Sequence, residues 1–310
     1  MRLDDLLSPR ALLVALVAVC LLALVVAGAT SSSAFGAFNA QWDGSSSVRS
    51  AAETTDAQPT IILETTAYSE YDPNGTVAFV IAPSEPYTSA ELARMRQFVQ
   101  AGGTLVVAED FEPEGDELLS GVGADARFDG RLVRDMRYHG PTTAMPTATN
   151  VSERFSATGV GSVMLNHGTV VEVPNESNAT TLVATSEYSY LDVNDDGQPN
   201  DGEPFRSYPV VVAEDVGEGR VLAVSDPSIF INAMQERADN RAFTERVVRG
   251  YDTVVLDYSH ADSQPPIRSA FILLRGSPLV QVGVGLVGLL FAGVLAREGN
   301  PLRSRRENEE

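Results

Sequence analysis

The chain has one cysteine, three histidines and no lysine; all 22 of its basic residues are arginine. Cys20 lies inside an apolar run, which excludes an intrachain disulfide, a cysteine-built zinc cluster and a water-exposed thiol nucleophile. Also missing are a G-x-S-x-G elbow, an H-E-x-x-H pair and a P-loop. The letters "GVGADA" at 121–126 fit a dinucleotide fingerprint, but they follow a helix-like segment and precede a strand-like one, the wrong order for that site. Positive charge is scarce too. A formal charge of -20 repels phosphate backbones and anionic headgroups, so it argues against nucleic-acid partners and for solubility in concentrated salt, the signature expected of a halophile.

Long hydrophobic runs occur twice. Residues 11–29, "ALLVALVAVCLLALVVAGA", are uncharged and long enough to cross a bilayer core. A cleaved leader ending near Ala27-Gly28-Ala29 is the rival reading. Residues 277–296 form the second run, followed by Arg297, Arg303, Arg305 and Arg306. Arginines beside a span stay in the cytoplasm. The expectation is therefore two membrane spans, a cytoplasmic N-terminus (1–10) and tail (297–310), and a lipid bilayer as partner. A Ser-rich tether (30–47), an outer domain (48–258) and a linker (259–276) would lie outside. Sequons at Asn74, Asn150, Asn175 and Asn178 fall in that outer part as possible glycosylation sites.

Within the outer part, "PTIILET" (59–65), "TVAFVIAP" (76–83) and "TLVVAED" (104–110) read as strands. The stretch "TSAELARMRQFVQAGG" reads as a helix, with Thr88 and Glu91 at capping-box spacing and Gly102-Gly103 at its end. The pattern returns at "GRVLAVSDPS" (219–228), a helix started at Asn240, and "DTVVLDYSH" (252–260). Strand, helix, strand order predicts an α/β fold with a parallel sheet. Residues 124–215 break the pattern with short strands set off by Gly, Pro and Asn, a β-rich insertion.

Two stretches carry a family resemblance: "VAFVIAPSEPYTSAELARMRQFVQAGGTLVVAED" and "GEGRVLAVSDPSIFINAMQERADNRAFTERVV". Together they resemble the membrane-anchored family catalogued as domain of unknown function 4350, in its haloarchaeal form, over about Phe38 to Pro278. The resemblance implies a divergent class I glutamine amidotransferase-like fold, a flavodoxin-like sheet with helices on both faces. Amidotransferases use a cysteine nucleophile in a turn after a strand, and the outer part of this chain has no cysteine.

Two candidate sites follow. "DVNDDGQPNDGE" (192–203) has the spacing of a twelve-residue calcium loop: Asp192, Asn194 and Asp196 offer side-chain oxygens, Gln198 its carbonyl, Asn200 a direct or water-mediated contact and Glu203 two oxygens. Extended flanks favour a structural Ca2+ over a sensor, and a solvated acidic turn is the bland alternative. The second site is the crevice at the carboxyl ends of parallel strands, where Glu109, Asp110, Ser225, Asp226, Asp257 and His260, with Asn232 nearby, would converge to hold an envelope protein or small ligand. Strand-end turns alone would also explain these acids. The functional expectation is a non-catalytic binding or assembly module of the envelope. An accessory component of a transport system and a hydrolase using Asp257 and His260 are the alternatives.

Overall fold

The computed structural model describes Leu16 and residues 34–261. Apart from Leu16, both apolar runs lie outside the described residues. Among the described residues no helix is long and apolar enough to cross a membrane.

Eight strands form the central sheet, in the order β1 (Gln58–Ile62), β14 (Thr253–Asp257), β2 (Thr76–Ile81), β3 (Thr104–Ala108), β13 (Gly219–Val224), β12 (Pro209–Val216), β10 (Thr180–Ala184) and β7 (Asn150–Val151). The first five run parallel, and the last three continue the sheet antiparallel. The protein is thus mixed α/β with a large, mostly parallel sheet, as the alternation of apolar strands and helices predicts.

Strand order differs from the flavodoxin expectation. Numbered along the chain, the five parallel strands lie 1-5-2-3-4, where flavodoxin has 2-1-3-4-5. Burial matches this order. Strand β14, in its interior slot between β1 and β2, is buried at every residue after its first, whereas β1, at the edge, is largely half-buried.

Helices cover both faces. On one lie α2 (Ser89–Gln100) and α3 (Glu114–Val122), whose Met95, Phe98, Leu118 and Leu119 pack on Val80, Leu105, Val107 and Val255. On the other lie α1 (Ser46–Thr54) and α5 (Asn240–Val248), whose Val48, Ala52, Phe243 and Val247 meet Phe79, Val106, Leu222 and Leu256. Alternate residues of each strand feed opposite layers, the period-2 rule of a sheet buried on both sides.

Helix α2 starts as its sequence predicts. The Thr88 N–H donates to Glu91 Oε2 at 2.8 Å and the Glu91 N–H to Thr88 Oγ1 at 3.4 Å, a reciprocal cap. Its far end explains the glycines of the two family-like stretches. A Cβ at Gly219 would stand 2.1 Å from the Val99 carbonyl oxygen and 2.3 Å from that of Gly103, so β13 begins where only backbone fits against the end of α2.

Residues 34–47 are not a tether. Ala37, Asn39 and Ser45 are buried, and α1 follows directly, its small apolar stripe of Val48, Ala51 and Ala52 concealed in a Ser-rich stretch. Ser259 to Ala261, assigned to a linker, likewise continue the packed body, with His260 buried.

Residues 124–215 build short antiparallel ladders: β4 (Arg127–Phe128) with β9 (Val171–Glu172), β5 (Leu132–Asp135) with β11 (Ser189–Asp192), and β6 (Thr147–Ala148) with β8 (Val163–Met164). One helical turn, α4 (Glu153–Ser156), lies among them, and the segment also supplies the sheet's antiparallel end.

Candidate functional site

Strands β14, β2, β3 and β13 end in register, with Asp257 beside Val80, Ile81 beside Ala108 and Ala108 beside Val224. Glu109, Asp110, Ser225, Asp226, Asp257 and His260 consequently share one rim. Alternation sends Glu109, Ser225 and Asp257 toward the layer of α2 and α3, and Asp110 and Asp226 toward the opposite one.

Asn232 is elsewhere. Its amide donates to the carbonyls of Asn39 (3.0 Å) and Gln41 (2.6 Å), and its oxygen accepts from the Ser47 N–H (3.0 Å) and the Ser46 hydroxyl (3.1 Å). Every polar atom of that amide serves to pin the 39–47 segment, which corrects its assignment to the crevice.

Most rim acids carry structural bonds. Asp226 is fully buried and accepts from the Ser228 N–H at 2.7 Å and from the Asn166 N–H, opening the turn Pro227–Phe230. Burial pushes its carboxyl up to about 7, against those two donors. Gly168 lets this packing form, since a Cβ there would lie 2.6 Å from Asp226 Cβ. Asp257 accepts from the Tyr68 hydroxyl at 2.7 Å and the Ser259 N–H at 2.8 Å, and burial raises its carboxyl too.

His260 stacks on Tyr87, with ring centroids 3.9 Å apart. Its Nδ1 meets the Ser259 hydroxyl at 2.9 Å, and its Nε2 stands 3.5 Å from Glu91 Oε2. No hydrogen bond joins His260 to Asp257 or to Ser225 among the described residues.

Glu109 differs from its neighbours. It is 1% exposed, and its Oε1 accepts from the Asp110 N–H at 2.7 Å, yet its Oε2 has no hydrogen-bond partner among the described residues. Burial, reinforced by the neighbouring Asp110 carboxyl with which it titrates as a pair, raises its carboxyl to about 8. The Tyr87 hydroxyl and Ser225 Oγ, buried on the same side of the sheet, are also unpartnered. Gly115 makes room for Glu109, because a Cβ there would lie 2.6 Å from the glutamate's own Cβ.

Beside Glu109 opens a cavity of about 390 Å³. Glu109, Asp110 and Glu112 are among its lining residues, with Phe35, Ile81 and Pro227 among the apolar walls and no basic residue among the described residues. The first and last residues of the continuous described body, Ala34 and Ala261, also line it. Charge and shape suit a ligand that combines a positive group with an apolar stem.

The acidic turn joins β11 to β12. Asp192, its side chain fully buried, accepts from the Asp196 N–H at 3.2 Å and the Gly197 N–H at 3.0 Å, and Arg134 of β5 donates to its Oδ2. Glu203 closes the loop by accepting from the Val193 N–H at 2.8 Å and the Asn200 N–H at 3.0 Å. Gly197, at φ +75°, makes the sharp bend in the sixth position.

Between these ends, oxygens converge. The Asn200 amide nitrogen lies 3.1 Å from both oxygens of Asp196, 3.4 Å from Asn194 Oδ1 and 3.0 Å from the Gln198 carbonyl. Oxygens of three of the six expected ligands thus surround the amide nitrogen of a fourth, and turning the Asn200 amide over would bring its oxygen to the same place. Asp192 and Glu203 instead hold the loop's backbone. No three His, Cys, Asp or Glu residues gather as a metal cluster among the described residues; the oxygens here come from amides, one carboxylate and a carbonyl.

All four sequon asparagines are exposed. Asn178 already donates its amide to the Asp215 carbonyl at 3.1 Å. Sequence reasoning did not find Arg134, Tyr68 or Tyr87. Each reaches its site from a strand or turn distant along the chain, and a single sequence carries no signal for such pairing.

Among known proteins, the model of the family described as "Domain of unknown function (DUF4350)" matches residues 37–248. No curated protein matches the chain. The solved structures resembling it include the mmIFT52 N-terminal domain, at 12% identity and TM-score 0.46, over 61% of this chain and 82% of that one. An exo-beta-1,4-mannosidase from Opitutaceae bacterium strain TAV5 aligns at 14% identity and TM-score 0.31, over 56% of this chain and 24% of that one. A beta-galactosidase from Bacillus circulans sp. alkalophilus gives 15% and 0.37, over 66% and 27%. Such distant likenesses concern the fold alone.

Proposed function

The chain belongs to the DUF4350 family, and from that premise we propose that its body is a non-catalytic binding module of the cell envelope, receiving its ligand in the strand-end crevice. Anchorage by residues 11–29 and 277–296, an extracellular position with both termini in the cytoplasm, kinship with amidotransferase-like folds, adaptation to high salt and a structural calcium at 192–203 complete this reading.

The observation that carries it is the carboxyl of Glu109, which presents a buried, unpartnered oxygen beside a cavity lined by two further acids. Burying an unmatched polar atom costs on the order of 1–3 kcal/mol, a cost that a bound donor offsets. The non-catalytic reading is supported by how the remaining groups are occupied. Asp257 is held by Tyr68 and Ser259, Asp226 by two backbone donors, and the Ser225 hydroxyl has no base in contact.

The crevice therefore takes an ammonium or guanidinium group on an apolar stem, whether from a small molecule or a partner's side chain. Calorimetric titration with n-butylammonium, and with n-butanol as its neutral counterpart, tests this. Saturable binding of the amine that is lost in Glu109→Gln supports the module. Equal behaviour of amine and alcohol, or an unchanged affinity in the variant, defeats it. Digestion of residues 34–261 by protease added to intact cells, with the termini protected, is expected of the anchored arrangement.

A further inference from the structure

At the opposite end of the sheet, a groove of about 470 Å³ lies over the starts of β3 and β13 and the neighbouring parts of β12 and β10. Its apolar side includes Leu182, Ala213 and Leu222; the last turn of α5 and the turn α4 form its walls. Three of the chain's 22 arginines line it: Arg220, Arg246 and Arg249. The only acid in the lining is Asp215, which already pairs with Arg220 at 2.7 Å. In a chain with a formal charge of -20, Arg246 and Arg249 thus share one depression, neither forming an ion pair among the described residues.

Two buried polar atoms of the groove's lining residues have no hydrogen-bond partner among the described residues: Arg246 Nε and Ser152 Oγ. Phe155 fixes the Arg246 guanidinium, whose carbon lies 5.4 Å from the ring centroid. Complementing the negative end of α5 would account for Arg246 and for Arg249 at its C-cap. It does not explain the Ser152 hydroxyl or the groove's apolar floor.

We propose that this groove is a second binding site, taking the carboxylate or phosphate of a small ligand whose apolar body rests on the sheet. Guanidinium groups match planar oxyanions with paired hydrogen bonds, and the serine hydroxyl supplies a further donor. Leu182, Ala213 and Leu222 favour an anion carrying an aromatic or aliphatic body over a bare inorganic one.

The test uses the full chain in mild detergent at low chloride. Benzoate, phenyl phosphate and neutral benzamide are titrated calorimetrically, and the stronger of the two anions identifies the head group. At least one anion is expected to saturate a single site, with about tenfold or greater weakening in Arg246→Gln and in Arg249→Gln. Unaltered binding in Glu109→Gln separates the groove from the crevice. Arg249 is exposed, so its variant keeps the question open to test if Arg246→Gln fails to fold. Benzamide binding as tightly as benzoate, no saturation by either anion, or full affinity in Arg249→Gln would overturn the proposal.

Discussion

Glu109 and Ser225 stand on adjacent parallel strands, each one residue beyond the paired Ala108 and Val224, and each holds a buried oxygen without a hydrogen-bond partner among the described residues. The backbone of both is tied into the sheet, with the Glu109 N–H donating to the Val224 carbonyl at 3.1 Å and the Ser225 N–H to that of Val210 at 3.0 Å. The rim thus combines a rigid frame with unsatisfied side-chain oxygens, which is the physical basis of the binding reading.

Stability should depend on pH through Glu109. Its folded value, about 8, lies above its ordinary 4.5, so the folded state holds a proton that the unfolded chain releases in that window. Its contribution is complete below pH 4.5 and is lost as pH rises through 8. Glu109→Gln should therefore gain stability relative to the parent across this window, by a few kcal/mol, since each unit is worth about 1.4 kcal/mol. Urea unfolding at a series of pH values checks it; a constant difference contradicts it.

Calcium should raise the melting temperature, because a ligand specific to the folded state stabilises it by about 2.7 kcal/mol at a hundred times its dissociation constant. Asp192 and Glu203 are poor probes, since their loss would unravel the loop with or without a metal. Asp196 is exposed, so Asp196→Ala should fold and lose the calcium response. Equal shifts in parent and variant would place any calcium elsewhere.

Arg134 bears on the same loop with the opposite sign. Its guanidinium pairs with Asp192 and, at 3.3 Å, with Asp195, adding positive charge beside the expected metal position. Arg134→Gln should weaken the loop in chelator and strengthen calcium binding by about tenfold at low salt. Weaker calcium binding in this variant would show that Arg134 organises the ligands instead.

Gly219→Ala should destabilise the fold by at least 1–3 kcal/mol, on the order expected of overpacking, because the new methyl meets two carbonyl oxygens on rigid backbone. Gly130→Ala is a useful contrast. A Cβ at Gly130 would have nothing within 4 Å, so only the strain of its φ of +76° would register.

The sequence made parts of this fold readable. Helix α2 announces itself through Thr88 and Glu91, and β2 and β3 through unbroken apolar runs, because caps and doubly buried strands are local properties. Strand order was hidden, since nothing within β14 states that it will enter between β1 and β2. Helix α1 was masked by serines, two of which, Ser46 and Ser47, are held by Asn232, far away in the chain. The rim acids were legible as strand ends, and the calcium spacing as a motif. What those letters could not convey was that Asp226 and Asp257 are occupied, that Glu109 is not, and that an arginine from β5 reaches Asp192.

The most direct measurement follows the side-chain carboxyl carbon of Glu109 by NMR through a pH titration, with and without n-butylammonium. The account predicts a midpoint near 8 in the free protein, set by burial, and a fall of more than about one unit when the cation binds beside the unpartnered oxygen. A midpoint in the ordinary glutamate range, or one that the amine leaves in place, would contradict it.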